Sequence, residues 1–234
     1  GNYGSTALLR DVSAWYHLVV AVDTTQTGMS NIAKFYINGV QQTASGATIY
    51  STNEDTNINN NVTHYISRWS GASAGNHHDG YLAEVNFIDG QALAPTEFGE
   101  TNDNGVWIPK EADVSFGTNG FKLEFKQTGT SANSSGIGAD TSGNDNHFSV
   151  SGLAATNITT DTPTNNFITM NPLATNSRGT FAEGNLHITT NVQGSNPYGQ
   201  VEFGTFAVNK GKWYFEVKNI NAGSGGKMGL GINE

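Results

Sequence analysis

The chain has 234 residues, with 20 acidic against 11 basic side chains and a formal net charge of −9. No basic stripe could neutralise a phosphate backbone, which argues against nucleic-acid binding and against adsorption to an anionic membrane. The sequence contains no cysteine, so it has neither a disulfide framework nor a thiol nucleophile, and no apolar run is long enough to cross a bilayer.

Apolar residues make up 36% of the chain and charged residues only 13%, while glycine alone numbers 29. Glycine and asparagine suit turns and threonine suits strands, so the composition predicts short strands and many loops. No long amphipathic helical pattern is present. The opening Gly1-Asn2-Tyr3-Gly4 is no signal peptide, and both it and the closing Met228–Glu234 fall inside strand-like patterns. The chain is therefore expected to be a piece of a longer protein.

In Tyr16–Asp23, Tyr16, Leu18, Val20 and Val22 alternate with His17, Val19, Ala21 and Asp23. Both faces are largely apolar, which predicts a central strand buried on two sides. Lys34–Asn38 alternates with Phe35 and Ile37 inward. Asn38-Gly39 is a strong two-residue hairpin signal, because both turn positions need positive φ, and Val40–Thr43 is the expected returning strand. Residues 51–63 read as a polar loop and His64–Trp69 as a strand, followed by a Gly/Ala/Ser loop to Asp79. Tyr81, Ala83, Val85 and Phe87 share one strand face. Pro95 suits the first turn of a short helix, with Gly99 at its end.

Further on, Phe121, Leu123 and Phe125 alternate with Lys122, Glu124 and Lys126, giving another strand. Thr156–Pro172 is rich in Thr, Asn and Pro and reads as an extended connector. Asn185–Ile188 is strand-like. In Lys210–Val217, Trp213, Phe215 and Val217 share one face. Residues 184–234 carry four basic and three acidic side chains, so the acidic excess lies upstream.

Several groups could carry chemistry. His77-His78-Asp79 is a dense run of metal-capable side chains, but neighbours in a strand point to opposite faces, so a solvated loop is the simpler reading. With Asn76 and the nearby Trp69, this loop is the expected ligand-binding surface, the indole offering a stacking face to a sugar ring. Tyr65, Tyr81 and Trp107 are further stacking candidates, against ordinary packing as the alternative. Glu84 is followed at alternate positions by Asn86 and Ile88, so the carboxylate pair of a retaining glycosidase is missing. No Gly-x-Ser-x-Gly elbow or phosphate-binding loop is found, and an enzyme is not expected. Loop oxygens at Asp23, Asp55, Asp140 and Asn144 make calcium the more plausible metal, against a plain turn-forming role.

Trp15–Asp23, Phe35-Tyr36-Ile37-Asn38-Gly39-Val40, Asp79–Gly90 and Ala92–Phe98 together resemble the second half of a laminin G-like domain, and Asp140-x-Ser142-Gly143-Asn144-x-Asn146 resembles the opening turn of such domains. Gly211-Lys212-Trp213-Tyr214-Phe215-Glu216-Val217, with Gly229-Leu230-Gly231-Ile232, resembles the start of a SPRY domain. Thr160–Phe167 is similar to sentences in tail and fibre proteins of marine bacteriophages.

These resemblances imply an all-β chain of concanavalin-like antiparallel β-sandwich (jelly-roll) modules joined by a loop-rich connector. The expected division is 1–100 for the C-terminal part of the laminin G-like sandwich, 101–183 for the connector and 184–234 for the beginning of a SPRY-like sandwich. They also imply one calcium at the sandwich rim. The lack of cysteine fits a bacterial or viral source. The implied role is a virion structural protein on the virion surface, binding a host-surface glycan or other receptor without covalent chemistry. Its other partners would be further virion proteins and copies of itself, a trimer by analogy with fibres. The alternatives are a decoration or connector without ligand, a bacterial surface adhesin, and an accessory part of a polysaccharide-degrading enzyme.

Overall fold

The computed structural model describes residues 3–11, 14–68, 77–78, 80–165, 167–172, 179–183, 185–190 and 203–220. Among these the chain is mostly short strands and loops. Its elements are β1 (Tyr3–Ser5), β2 (Leu18–Val22), a four-residue helix α1 (Met29–Ile32), β3 (Ala33–Ile37), β4 (Val40–Gln41) and β5 (Ala44–Gly46). There follow β6 (Val85–Phe87), a 3-10 turn at Pro95–Glu97, β7 (Gly99–Thr101), β8 (Trp107–Pro109), β9 (Phe121–Leu123), a second 3-10 turn at Ala155–Asn157, β10 (Gly179–Ala182) and β11 (His187–Thr190). No helix among the described residues is long and apolar enough to cross a membrane.

The strands pair antiparallel in small sheets: β2-β3-β4, β1 with β5, β6 with β9, β7 with β8, and β10 with β11. Asn38 and Gly39, at φ 48 and 78, form the expected hairpin turn between β3 and β4. The Asn38 side chain also accepts the His17 backbone N–H at 2.8 Å, tying the turn to the residue before β2. β6 finds its partner in β9, so residues read as a connector supply a strand to the first hundred.

Several expected strands are shorter than their apolar patterns. Glu84 has φ 53, and this left-handed bend confines the strand read across Tyr81–Ile88 to Val85–Phe87. Phe125, also at φ 53, follows the end of β9. Ser67 at φ 66 turns the chain within His64–Arg68, which forms no strand and contributes one isolated bridge, Arg68 to His77. The largest departure is β2: it is not buried on two sides, because Leu18 and Val20 are 59% and 58% exposed. The second layer expected over that face is missing among the described residues. Residues 210–220 form no ladder despite their alternation.

Two small apolar centres form. Met29, Ile32 and Ala33 are buried beneath Tyr3, Val22, Phe35, Ile49 and Tyr50. Leu123, Ile137 and Ala139 are buried near a ring cluster in which Phe121 stacks on Phe87 at 5.4 Å and meets the edge of Phe148 at 4.8 Å.

Trp107 joins the hairpins. It is not the exposed sugar-stacking ring that the sequence allows. Its indole fills the space left by two glycines, Gly39 in the hairpin turn and Gly99 in β7, and a Cβ at Gly99 would stand 2.6 Å from the ring. The indole lies nearly parallel to the His17 ring, with centroids 5.8 Å apart, and its Nε1–H donates to His17 Nδ1 at 3.0 Å. His17 therefore accepts as a neutral imidazole, and burial holds its pKa below the ordinary histidine value.

Two outcomes are expected. Gly99→Ala should cost about 1–3 kcal/mol by overpacking against the indole, measured by chemical denaturation. A depressed folded pKa means that the unfolded chain binds the proton more readily. The His17 contribution is thus complete above about pH 6.5 and is lost as pH falls from there through the folded pKa. Thermal melts across pH 5–8 should show this loss, and His17→Gln should flatten it.

Candidate functional site

The described parts of the expected ligand loop show how it is held. Arg68 bridges to His77, and the His78 N–H donates to the Ser67 carbonyl at 2.9 Å, so the two ends of the loop meet. The Arg68 guanidinium lies 4.7 Å from the centre of the Tyr65 ring, a cation–π contact. His77 and His78 are both exposed, as are Tyr65 and Tyr81. Gly80 leaves room for the His78 ring, since a Cβ there would stand 2.8 Å from Nε2. The loop base thus presents two phenol rings, two imidazoles and a guanidinium to solvent. Trp69, Asn76 and Asp79 lie outside the described residues.

The four calcium candidates are divided between two places. Asp140 is buried and forms a polar knot: Oδ1 accepts the N–H of Lys122 at 2.8 Å and of Ser142 at 2.9 Å, while Oδ2 accepts the Ser142 hydroxyl and the Asn146 N–H, each at 2.9 Å. A carboxylate has about four lone-pair sites, and all are taken. Burial pushes the Asp140 pKa up, but the bonds from Lys122, Ser142 and Asn146 outweigh it and hold the carboxyl below its ordinary value.

Asn144 and Asn146 complete the knot. The Asn144 amide donates to the Gly117 and Gly120 carbonyls at 2.6 and 2.9 Å, and the Asn146 amide to Thr118 and Gly120 at 3.2 and 2.9 Å. The Asp-x-Ser-Gly-Asn-x-Asn motif therefore pins the 117–120 turn to β9 through side-chain bonds. In this arrangement the Asp140 oxygens are taken up by backbone and hydroxyl donors, and the Asn144 amide is held through its donor end.

Asp23 and Asp55 lie together on the wall of a groove of about 900 Å³, bounded by β2, residues 54–60 and residues 84–93. Asp23 accepts from the Thr25 N–H at 3.0 Å and hydroxyl at 2.6 Å, and from the Gln26 amide at 2.9 Å. The Thr25 and Gln26 side-chain bonds hold its pKa below the ordinary range. Asp55 is exposed. Glu54 and Glu84 also line the groove, with no lysine or arginine among the lining residues. Asn86 lies on the same surface, and its side-chain oxygen is buried without a partner among the described residues. Among the described residues no group of three or more His, Cys, Asp or Glu side chains is arranged to hold a metal.

Sequence reasoning missed the groove, because it is made by exposed apolar residues of a strand read as interior. It also missed the full role of the Asp140 motif. The short-range Asp-to-Ser spacing was visible, but the contacts from Asn144 and Asn146 to residues 117–120 span more than twenty positions.

No family model matches the chain, and neither a curated protein nor a solved structure is significantly similar to it.

Asp140→Ala should destabilise the protein by about 2–4 kcal/mol, since it strands several buried donors. The effect should be equal with calcium and with a chelator in a thermal melt. Because the folded pKa of Asp140 is depressed, its stabilisation is present above about pH 3.9 and is lost as pH falls through the folded pKa.

Proposed function

We propose that this chain is a binding and display module of a bacteriophage virion appendage, built on concanavalin-like β-sandwich architecture, that holds host-surface glycans through the loop around residues 65–81. The observation that carries the glycan reading is the exposed base of that loop, where Tyr65, His77, His78 and Arg68 stand beside one another on a bridged backbone. A phenol ring supplies a flat apolar face for a sugar ring, and the imidazoles and guanidinium supply hydrogen bonds to hydroxyls. The bridged ends reduce the ordering cost of binding. The virion assignment is supported by the likeness of Thr160–Phe167 to phage tail and fibre proteins, and the fold by the laminin G-like patterns in residues 15–98. Repeated copies would convert weak single-site affinity into avidity.

The test is a screen of glycans and of host envelope against the purified chain, run with calcium and then with a chelator. Binding is expected, and it should survive chelation, because imidazole, guanidinium and phenol are poor ligands for a hard cation. Tyr65→Ala and the double change His77→Ala with His78→Ala should each weaken it about tenfold, near 1.4 kcal/mol. No binding to any glycan or host surface would sink the reading in favour of a decoration without ligand.

A further inference from the structure

β2 has an open edge. The Asn38 N–H donates to the His17 carbonyl at 2.9 Å, and the Asp23 N–H to the Ile32 carbonyl at 2.7 Å. With Leu18 opposite Ile37 and Val22 opposite Ala33, these two bonds fix which groups face β3: those of His17, Val19, Ala21 and Asp23. The N–H and C=O groups of Leu18, Val20 and Val22 consequently point the other way. Among the described residues nothing pairs with them, since the sheet order is β2-β3-β4. The same edge carries the exposed Leu18 and Val20 side chains and borders the 900 Å³ groove. Asp23, Glu54, Asp55 and Glu84 give that groove an acidic lining.

Residues 210–218 have the complementary character. They carry Lys210, Lys212 and Lys218 against a single Glu216. Trp213, Phe215 and Val217 alternate with them, and Trp213 and Tyr214 are 68% and 82% exposed. Aromatic and β-branched residues at period two are a strand pattern. Yet this stretch belongs to no sheet, and none of it lines the groove of its own chain.

We propose that residues 210–218 of one copy add as a strand along the open edge of β2 in a second copy. The added strand would bond to the outward groups of Leu18, Val20 and Val22 and extend the sheet to four strands. With Trp213, Phe215 and Val217 laid on the face of Leu18 and Val20, alternation puts Lys212 and Lys218 on the opposite face. That face carries Asp23 together with Lys34, which stands opposite Ala21, so the apolar contact sets the orientation and the acidic groove beside the edge supplies the charge complement. Donor and acceptor are different surfaces, so the contact is head-to-tail and propagates into a ring or a filament.

The experiment is analytical ultracentrifugation of the full chain across concentration and salt. Wild-type chain should form concentration-dependent oligomers that weaken as salt rises. Val20→Pro removes an N–H that faces the open edge and leaves the β3 ladder intact, so it should abolish acceptance. Trp213→Ser with Phe215→Ser should abolish donation. Each variant alone should be a monomer, and an equal mixture of the two should give a dimer and nothing larger. Lys212→Glu with Lys218→Glu changes only exposed side chains and should weaken association tenfold or more; it keeps the test decisive if Val20→Pro does not fold. A wild-type chain that stays monomeric at every concentration would overturn the proposal. So would oligomers unaffected by the donor and charge variants. If those variants lower the stability of a monomer, the segment docks within its own chain, which overturns it equally.

Discussion

The Asp140 carboxylate receives four hydrogen bonds, from Lys122, Ser142 twice and Asn146, and these bonds set the course of the chain from β9 to residue 148. The Lys122 N–H fixes the loop to the strand, and Asn144 and Asn146 reach from the same loop to the carbonyls of residues 117–120. Close packing follows from that pinning. Gly136 and Gly138 bring backbone so near that a Cβ would strike the Ser131 and Phe148 carbonyls. Phe148 is then delivered onto Phe121, which stacks on Phe87. A charged group with every lone pair occupied is well placed to organise a region with little apolar material, because misplacing one donor leaves a buried polar group unpaired.

A second polar arrangement surrounds the β9 lysine. The Lys122 side chain is largely buried, with its ammonium against Glu111 and 3.9 Å from Glu124, which itself pairs with Lys126 at 2.7 Å. The bond from Lys126 holds the Glu124 carboxyl below its ordinary range. Near Trp107 the logic is different: two glycines make a slot, and the ring filling it meets an imidazole. The Trp107 junction joins elements 90 positions apart in sequence, through side chains rather than through a long ladder.

Local chemistry was legible in the sequence. Asn38-Gly39 announced its turn because two positive φ values are cheap there. Pro95 announced a helical turn, since its fixed φ suits a first position and its missing N–H costs nothing there. The alternations at Leu18–Val22, Lys34–Ile37 and Phe121–Leu123 gave strands. What the sequence did not reveal depends on partners. Leu18 and Val20 have the period of buried residues, but burial needs a second layer, and nothing local records whether one arrives. Glu84 and Phe125 adopt positive φ in defiance of residue preference, so the strands stop where tertiary contacts dictate. Trp107 looked like a surface ring because the glycines that admit it lie 68 and 8 positions away. For the loop proposed to hold glycans, the aromatic and histidine residues were legible, whereas the bridge that closes its base was not.

The pairing of Trp107 with His17 also gives the molecule an optical signature. A protonated imidazole quenches indole emission more strongly than a neutral one. The indole here stands in van der Waals range of one imidazole and donates a hydrogen bond to it. Protonating Nδ1 would both remove the acceptor and place a quencher against the ring. Fluorescence from this residue would therefore report, without any attached label, whether the β7–β8 hairpin is seated on the start of β2.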